Sequence, residues 1–88
     1  MGRVGAAVGA RLARNVAAER VRHGWSQAEF AERLGVGRTT VGGWESGVRQ
    51  IGVDHLVELC RVLDVGLAAL LVGLDVDDMR ALRITPER

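Results

Sequence analysis

Apolar positions recur along the chain with the period of a helix, and glycines mark the breaks between the periodic stretches. Val8, Leu12 and Val16 share one stripe, with Ala13 and Ala17 beside it and Val21 continuing it. The spacing predicts a first helix from Ala6 or Ala10 to His23, closed by Gly24, which can adopt the left-handed conformation of a helix end. Ser26 stands three residues before Glu29, the signature of a capping box in which each side chain satisfies a backbone N–H at the helix start. Trp25 precedes that cap and Phe30 follows at the fourth helical position, as in a hydrophobic staple. A second helix is therefore expected over Gln27–Leu34, with Ala28, Phe30, Ala31 and Leu34 apolar and Gly35 ending it.

Only Gly35, Val36 and Gly37 separate that helix from a third, expected over Arg38–Ser46. Gly37 is a weak N-cap, Val41 and Trp44 form an apolar edge, and Gly47 closes the helix. After an irregular stretch from Gly47 to Gly52, a fourth helix is predicted over Val53–Leu63. Val53, Leu56, Leu59, Cys60 and Leu63 form its buried stripe. A short fifth helix is expected over Leu67–Val72, before Gly73. Beyond it Asp75 or Asp77 can cap a last turn or two carrying Val76, Met79 and Leu82, and Pro86 stops anything further. The expected division is residues 1–9 as an N-terminal arm or the start of helix one, 10–73 as the domain, and 74–88 as a C-terminal tail.

Composition sharpens this picture. Eighty-eight residues allow one small domain, and most enzyme classes need more chain. Trp25, Phe30 and Trp44 are the only aromatic residues, so Leu, Val and Ala fill the core, which suits closely packed helices. The single cysteine, Cys60, excludes an intrachain disulfide and a cysteine-based zinc cluster. No apolar run is long enough for a transmembrane helix, and Met1–Ala10 lacks the continuous apolar stretch of a signal peptide; a cytoplasmic protein is expected. The net charge of +1 hides an asymmetry: residues 1–49 carry eight Arg against four Glu, and residues 50–88 four Arg against seven acids. A basic half joined to an acidic half fits a polyanion-binding face with a solvated back.

Two short helices joined by a three-residue glycine-containing turn form a helix-turn-helix. In that motif the first helix crosses the DNA backbone and pins the second, whose N-terminal side chains enter the major groove. Gln27 then sits at a helix N-terminus, where free N–H groups and a positive dipole suit a phosphate. Arg38 and Thr39 occupy the first turn of the groove-entering helix. Arg can bridge guanine O6 and N7, and Thr can serve a base edge, a thymine methyl or a phosphate.

The run Gly24-Trp-Ser-Gln-Ala-Glu-Phe-Ala-Glu-Arg-Leu-Gly-Val, followed by Thr40-Val-Gly-Gly-Trp-Glu-Ser-Gly47, resembles the Cro/repressor-type helix-turn-helix family (lambda-repressor-like, or XRE). Leu56-Val-Glu-Leu-Cys-Arg-Val-Leu-Asp-Val-Gly-Leu-Ala-Ala-Leu-Leu is similar to the fourth and fifth helices of the same fold. The resemblance covers roughly residues 10–73 and implies an all-α, five-helix lambda-repressor-like DNA-binding domain with a short C-terminal extension. It implies that Arg38, Thr39 and Gly43 read bases, that Gln27, Thr40, Arg49 and Gln50 touch the sugar-phosphate backbone, and that Arg20 and Glu45 form a largely buried structural salt bridge. One departure matters. Gly42 and Gly43 stand in mid-helix where long polar side chains are usual; either the backbone approaches DNA closely and Arg38 and Thr39 are left as the main readers, or specificity is relaxed or this surface is not used for DNA.

Other chemistry finds little support. His55 and Cys60 are five residues apart and face different sides of a helix, so with His23 they form no metal site. His23 suits a helix-dipole contact, and Ser26 is a cap with no His placed to activate it. No catalytic residue, metal or cofactor is expected. The expected function is a sequence-specific transcriptional regulator, a repressor acting by occlusion. It would bind double-stranded DNA as a homodimer in a bacterial or phage setting. The alternative is a protein-interaction module of the same fold, an antitoxin, adaptor or co-activator, using helix five and the tail from Leu74 to Ile84.

Overall fold

The computed structural model describes residues 2–74, 76–81 and 83. Those residues form helices α1 (Gly2–Arg22), α2 (Gln27–Leu34) and α3 (Arg38–Ser46), a 3-10 turn (Val53–His55), and helices α4 (Leu56–Leu63), α5 (Leu67–Leu70) and α6 (Val76–Ala81). The arrangement is the expected all-α fold of five helices with a C-terminal extension.

The core joins the apolar faces of five helices. Val16 of α1, Phe30 and Ala31 of α2, Val41 and Trp44 of α3, Leu59 and Leu63 of α4, and Leu70 of α5 are all buried together. Trp44 and Phe30 are the largest of them, and truncating a buried aromatic to Ala costs ~3–5 kcal/mol. Helix α2 packs mainly on α3, while α1 runs across α3, α4 and α5.

Helix α2 has the local chemistry the sequence predicts. Glu29 N donates to Ser26 Oγ at 3.0 Å and Ser26 N donates to Glu29 Oε1 at 2.8 Å, closing the capping box. The Trp25 and Phe30 rings stack at 6.1 Å, the expected staple. Gly35 ends the helix at φ 76°, with its N–H and that of Val36 on the last carbonyls. That conformation carries a steric penalty for most residues, and it turns the chain sharply enough for α3 to begin after only Val36 and Gly37.

Elsewhere tertiary contacts override local pattern. Helix α1 begins at Gly2, ahead of the expected start at Ala6 or Ala10, although Gly2 and Gly5 are weak helix formers. Val21 is 63% exposed and does not extend the stripe; the inward position one turn after Val16 belongs to Arg20. The predicted fourth helix is broken at its start. Val53 opens a 3-10 turn and is 82% exposed, and the α-helical stripe begins only at Leu56.

Helix α5 stops at Leu70 rather than running to Val72. Asn15 of α1 explains this: its Nδ2 donates to Leu70 O and to Val72 O, each at 2.8 Å. The side chain takes the carbonyls that exit the helix and holds the turn that follows. Leu71 is buried by that turn and Leu74 packs against the core, so much of the apolar surface expected to face a partner is internal. Val76 and Met79 lie on α6, but their side chains, and Leu82 and Ile84 entirely, lie outside the described residues.

Candidate nucleic-acid interface

The geometry of α2 and α3 is fixed by a clasp at their rear. Arg20 near the end of α1 donates from Nε to Glu45 Oε2 at 2.7 Å and from a terminal nitrogen to Glu45 Oε1 at 3.0 Å. Its other terminal nitrogen donates to Trp25 O at 2.6 Å. Gln27 at the head of α2 adds a fourth bond, Nε2 to Glu45 Oε1 at 2.9 Å. One carboxylate on α3 thus gathers α1, the α1–α2 corner and the start of α2. The Arg20 and Glu45 side chains retain only 15% and 10% of their exposure, so the pair is largely removed from water.

A second cluster braces the corner from outside. The Trp25 ring lies between His23, stacked at 4.3 Å, and the Arg33 guanidinium, 4.3 Å from its centroid on α2. His23 Nε2–H donates to Leu63 O at 2.9 Å. The His23 ring thus reaches the last carbonyl of α4, a contact that its place at the end of α1 did not predict.

With its rear anchored, α3 turns Arg38 and Thr39 outward on its first turn, both exposed, while Val41 and Trp44 face the core. Gly37 precedes it without a side-chain cap; Thr40 N and Val41 N bond to Gly37 O at 3.0 and 3.3 Å. The clasp also orients Gln27. Its amide nitrogen is held by Glu45 and its Oε1 faces α3 beside Gly42, where a Cβ would stand 3.6 Å away.

Arg49 lies along α3 rather than away from it. Its backbone N–H donates to Gly43 O at 3.0 Å, and its side chain donates to Thr40 Oγ1 at 3.1 Å. A Cβ on Gly43 would meet Arg49 Cβ at 3.1 Å and Cδ at 3.7 Å. The space beside Gly43 is therefore occupied by the Arg49 stem. Gln50 stands apart, exposed at the edge of the cleft between α1 and the 47–52 loop, next to Gly9 and Ile51. The structure thus brings Arg20, Gln27 and Glu45 into one network and Thr40, Gly43 and Arg49 into another, with Arg38 and Thr39 beside the second. Sequence reasoning missed the link between Gly43 and Arg49. The available signal was a helix glycine followed by a long side chain just past the helix end.

Among the described residues no group of three His, Cys, Asp or Glu side chains is placed to hold a metal ion, and no helix is long and apolar enough to cross a membrane.

Comparison with known proteins agrees with this geometry. Residues 16–70 match the helix-turn-helix family model. The chain belongs to the helix-turn-helix family. A solved structure described as a hypothetical transcription factor, NHTF, from Neisseria is similar to this helix-turn-helix protein, with a TM-score of 0.68 and 32% identity over 85% of this chain and 84% of that one. No curated protein is significantly similar to the chain. The Cro/repressor-type resemblance of the sequence therefore holds at the level of the family as well as of the fold.

Proposed function

We propose that this helix-turn-helix protein is a sequence-specific DNA-binding transcriptional regulator that reads a pseudo-palindromic operator as a homodimer and represses by occluding polymerase. The observation that carries the reading is the outward first turn of α3, with Arg38 and Thr39 exposed on a helix whose rear is locked by Arg20 and Glu45. Arg38 contacts a guanine edge and Thr39 a neighbouring base, while Gln27, Thr40 and Gln50 bond to the sugar-phosphate backbone. The ion pair neutralises Arg20 and leaves Arg38 and Arg49 as the positive charges on the α3 face, the sign a phosphate backbone requires. This is a binding function with no catalytic step, exercised in the cytoplasm of a bacterium or a phage-infected cell.

A second surface supports association. Val8, Leu12, Ile51, Val53, Leu56, Leu67 and Leu71 line an apolar groove of about 300 Å³ away from α3. Val53, Val57, Leu67 and Val72 are exposed. This groove supports dimer formation, and it equally supports the alternative of an adaptor or antitoxin that binds another protein.

The test is in-vitro selection of random duplex DNA on the purified protein, followed by fluorescence-anisotropy titration of the selected duplexes at several salt concentrations. A two-fold symmetric motif bound cooperatively, with affinity falling steeply as salt rises, is expected. Weak, salt-sensitive binding with no enriched motif would overturn the specific-regulator reading in favour of the interaction module.

A further inference from the structure

Resting on that DNA-binding reading, the geometry points to Arg49 as a base reader that replaces the missing side chain of Gly43, with guanine as the base it recognises. Gly43 lies one helical turn beyond Thr39 and on the same outward face of α3, opposite the buried Val41 and Trp44. A helix entering the major groove presents that face to base edges. Here the position has no side chain of its own, and the Arg49 stem fills the place where one would start.

The substitution is built in rather than incidental. Arg49 is tied to α3 twice, through its backbone N–H to Gly43 O and through its guanidinium to Thr40 Oγ1. The loop backbone is thereby held against the helix, and a Cβ added at Gly43 would stand 3.1 Å from Arg49 Cβ, so the Arg49 stem must shift to admit it. The absent side chain at position 43 leaves the room that the Arg49 stem occupies. The stem runs from Gly43 back to Thr40, about one turn towards the N-terminus of α3, and delivers the guanidinium to the Thr40 hydroxyl. The Thr40 hydroxyl engages one terminal nitrogen, and the planar fork retains further donors with the geometry that matches guanine O6 and N7. A phosphate contact would need only a positive charge at the rim. The double tether instead places a planar donor group over the groove-facing surface, where planarity counts.

The experiment compares the full chain with Arg49→Ala, Arg49→Lys and Gly43→Ala on the selected operator and on duplexes carrying each single base-pair change. Thermal unfolding establishes that each variant is folded; Arg49 is exposed, so its two substitutions are expected to leave the fold intact. The unsubstituted chain is expected to discriminate about 5- to 150-fold in favour of one G·C pair in each half-site through this contact. Both Arg49→Ala and Arg49→Lys lose that discrimination while preference at the other positions survives. Gly43→Ala shifts preference at the same pair, because it displaces the Arg49 stem. A uniform loss of affinity on every duplex with Arg49→Ala, restored by Arg49→Lys, would overturn the assignment and make Arg49 a phosphate contact. Failure of the unsubstituted chain to select any sequence would be a different result, removing the DNA-binding reading itself and this inference with it.

Discussion

Arg20 and Glu45 meet through two parallel hydrogen bonds, 2.7 and 3.0 Å long, in a largely buried ion pair that ties α1 to α3. Removing one partner strands the other charge away from water. Arg20→Ala and Glu45→Ala are each expected to cost about 3–5 kcal/mol, a large part of the stability of so small a domain. Replacing both together by apolar residues of similar volume is expected to cost less than either single change, because no charge is then left unpaired. Urea denaturation of the four proteins checks this; equal or greater loss in the double variant would show that the pair stabilises by attraction alone.

Asn15 makes a separate prediction about the C-terminal half. Its side-chain amide serves two carbonyls at the end of α5, one of them part-buried, and neither has that partner in an Asn15→Ala variant. A loss of about 1–3 kcal/mol is expected. Amide hydrogen exchange in the α5 region, from Leu67 to Leu74, should accelerate more than exchange in α2, because the contact restrains only the end of α5 and the turn after it. Uniform acceleration across the protein would count against that local role.

These two contacts also show why some of the fold was legible in the sequence and some was not. Helix α2 could be bounded from Ser26, Glu29 and Gly35 because the interactions that start and stop it lie within its own few residues. The end of α5 could not, since the atom that stops it belongs to a residue more than fifty positions earlier. The inward placement of Arg20, which ends the α1 stripe that Val21 was expected to continue, depends on Glu45 in the same way. On α3, the exposure of Arg38 and Thr39 follows from their place on the first helical turn. The lie of Arg49 depends on how the loop backbone docks on Gly43, and no periodicity expresses that.

The capping box gives a pH dependence of known sign. The Glu29 carboxyl is held below its ordinary value of 4.5, first by the Ser26 backbone N–H, then by the Ser26 hydroxyl, with desolvation acting the other way and the Arg33 charge assisting. A depressed pKa means that the folded state favours the ionised carboxylate, so its stabilisation is present above the unfolded-state value and is lost as pH falls through the folded-state value. The stability difference between the protein and Glu29→Gln is therefore expected at neutral pH and should shrink steadily below pH 4.5. Denaturation midpoints measured across that range test it. A difference that persisted in acid would mean that the carboxylate charge is not what stabilises the cap.

Base reading and backbone contact are separable on two exposed residues outside the Arg20–Glu45 clasp. Arg38 stands on the first turn of α3, and Gln50 lies past the helix at the edge of the α1 cleft. Arg38→Ala is expected to cost about 1–3 kcal/mol on the selected operator and to flatten preference at one base pair of each half-site. Gln50→Ala should weaken specific and non-specific duplexes by a similar factor. Because Gln50 carries no charge and releases no counterion, the salt dependence should remain unchanged in that variant. Anisotropy titrations of both variants on the operator, its single-pair derivatives and an unrelated duplex give the two patterns directly. If Arg38→Ala weakened every duplex alike, the first turn of α3 would be a phosphate contact, and base reading would have to lie elsewhere on the helix.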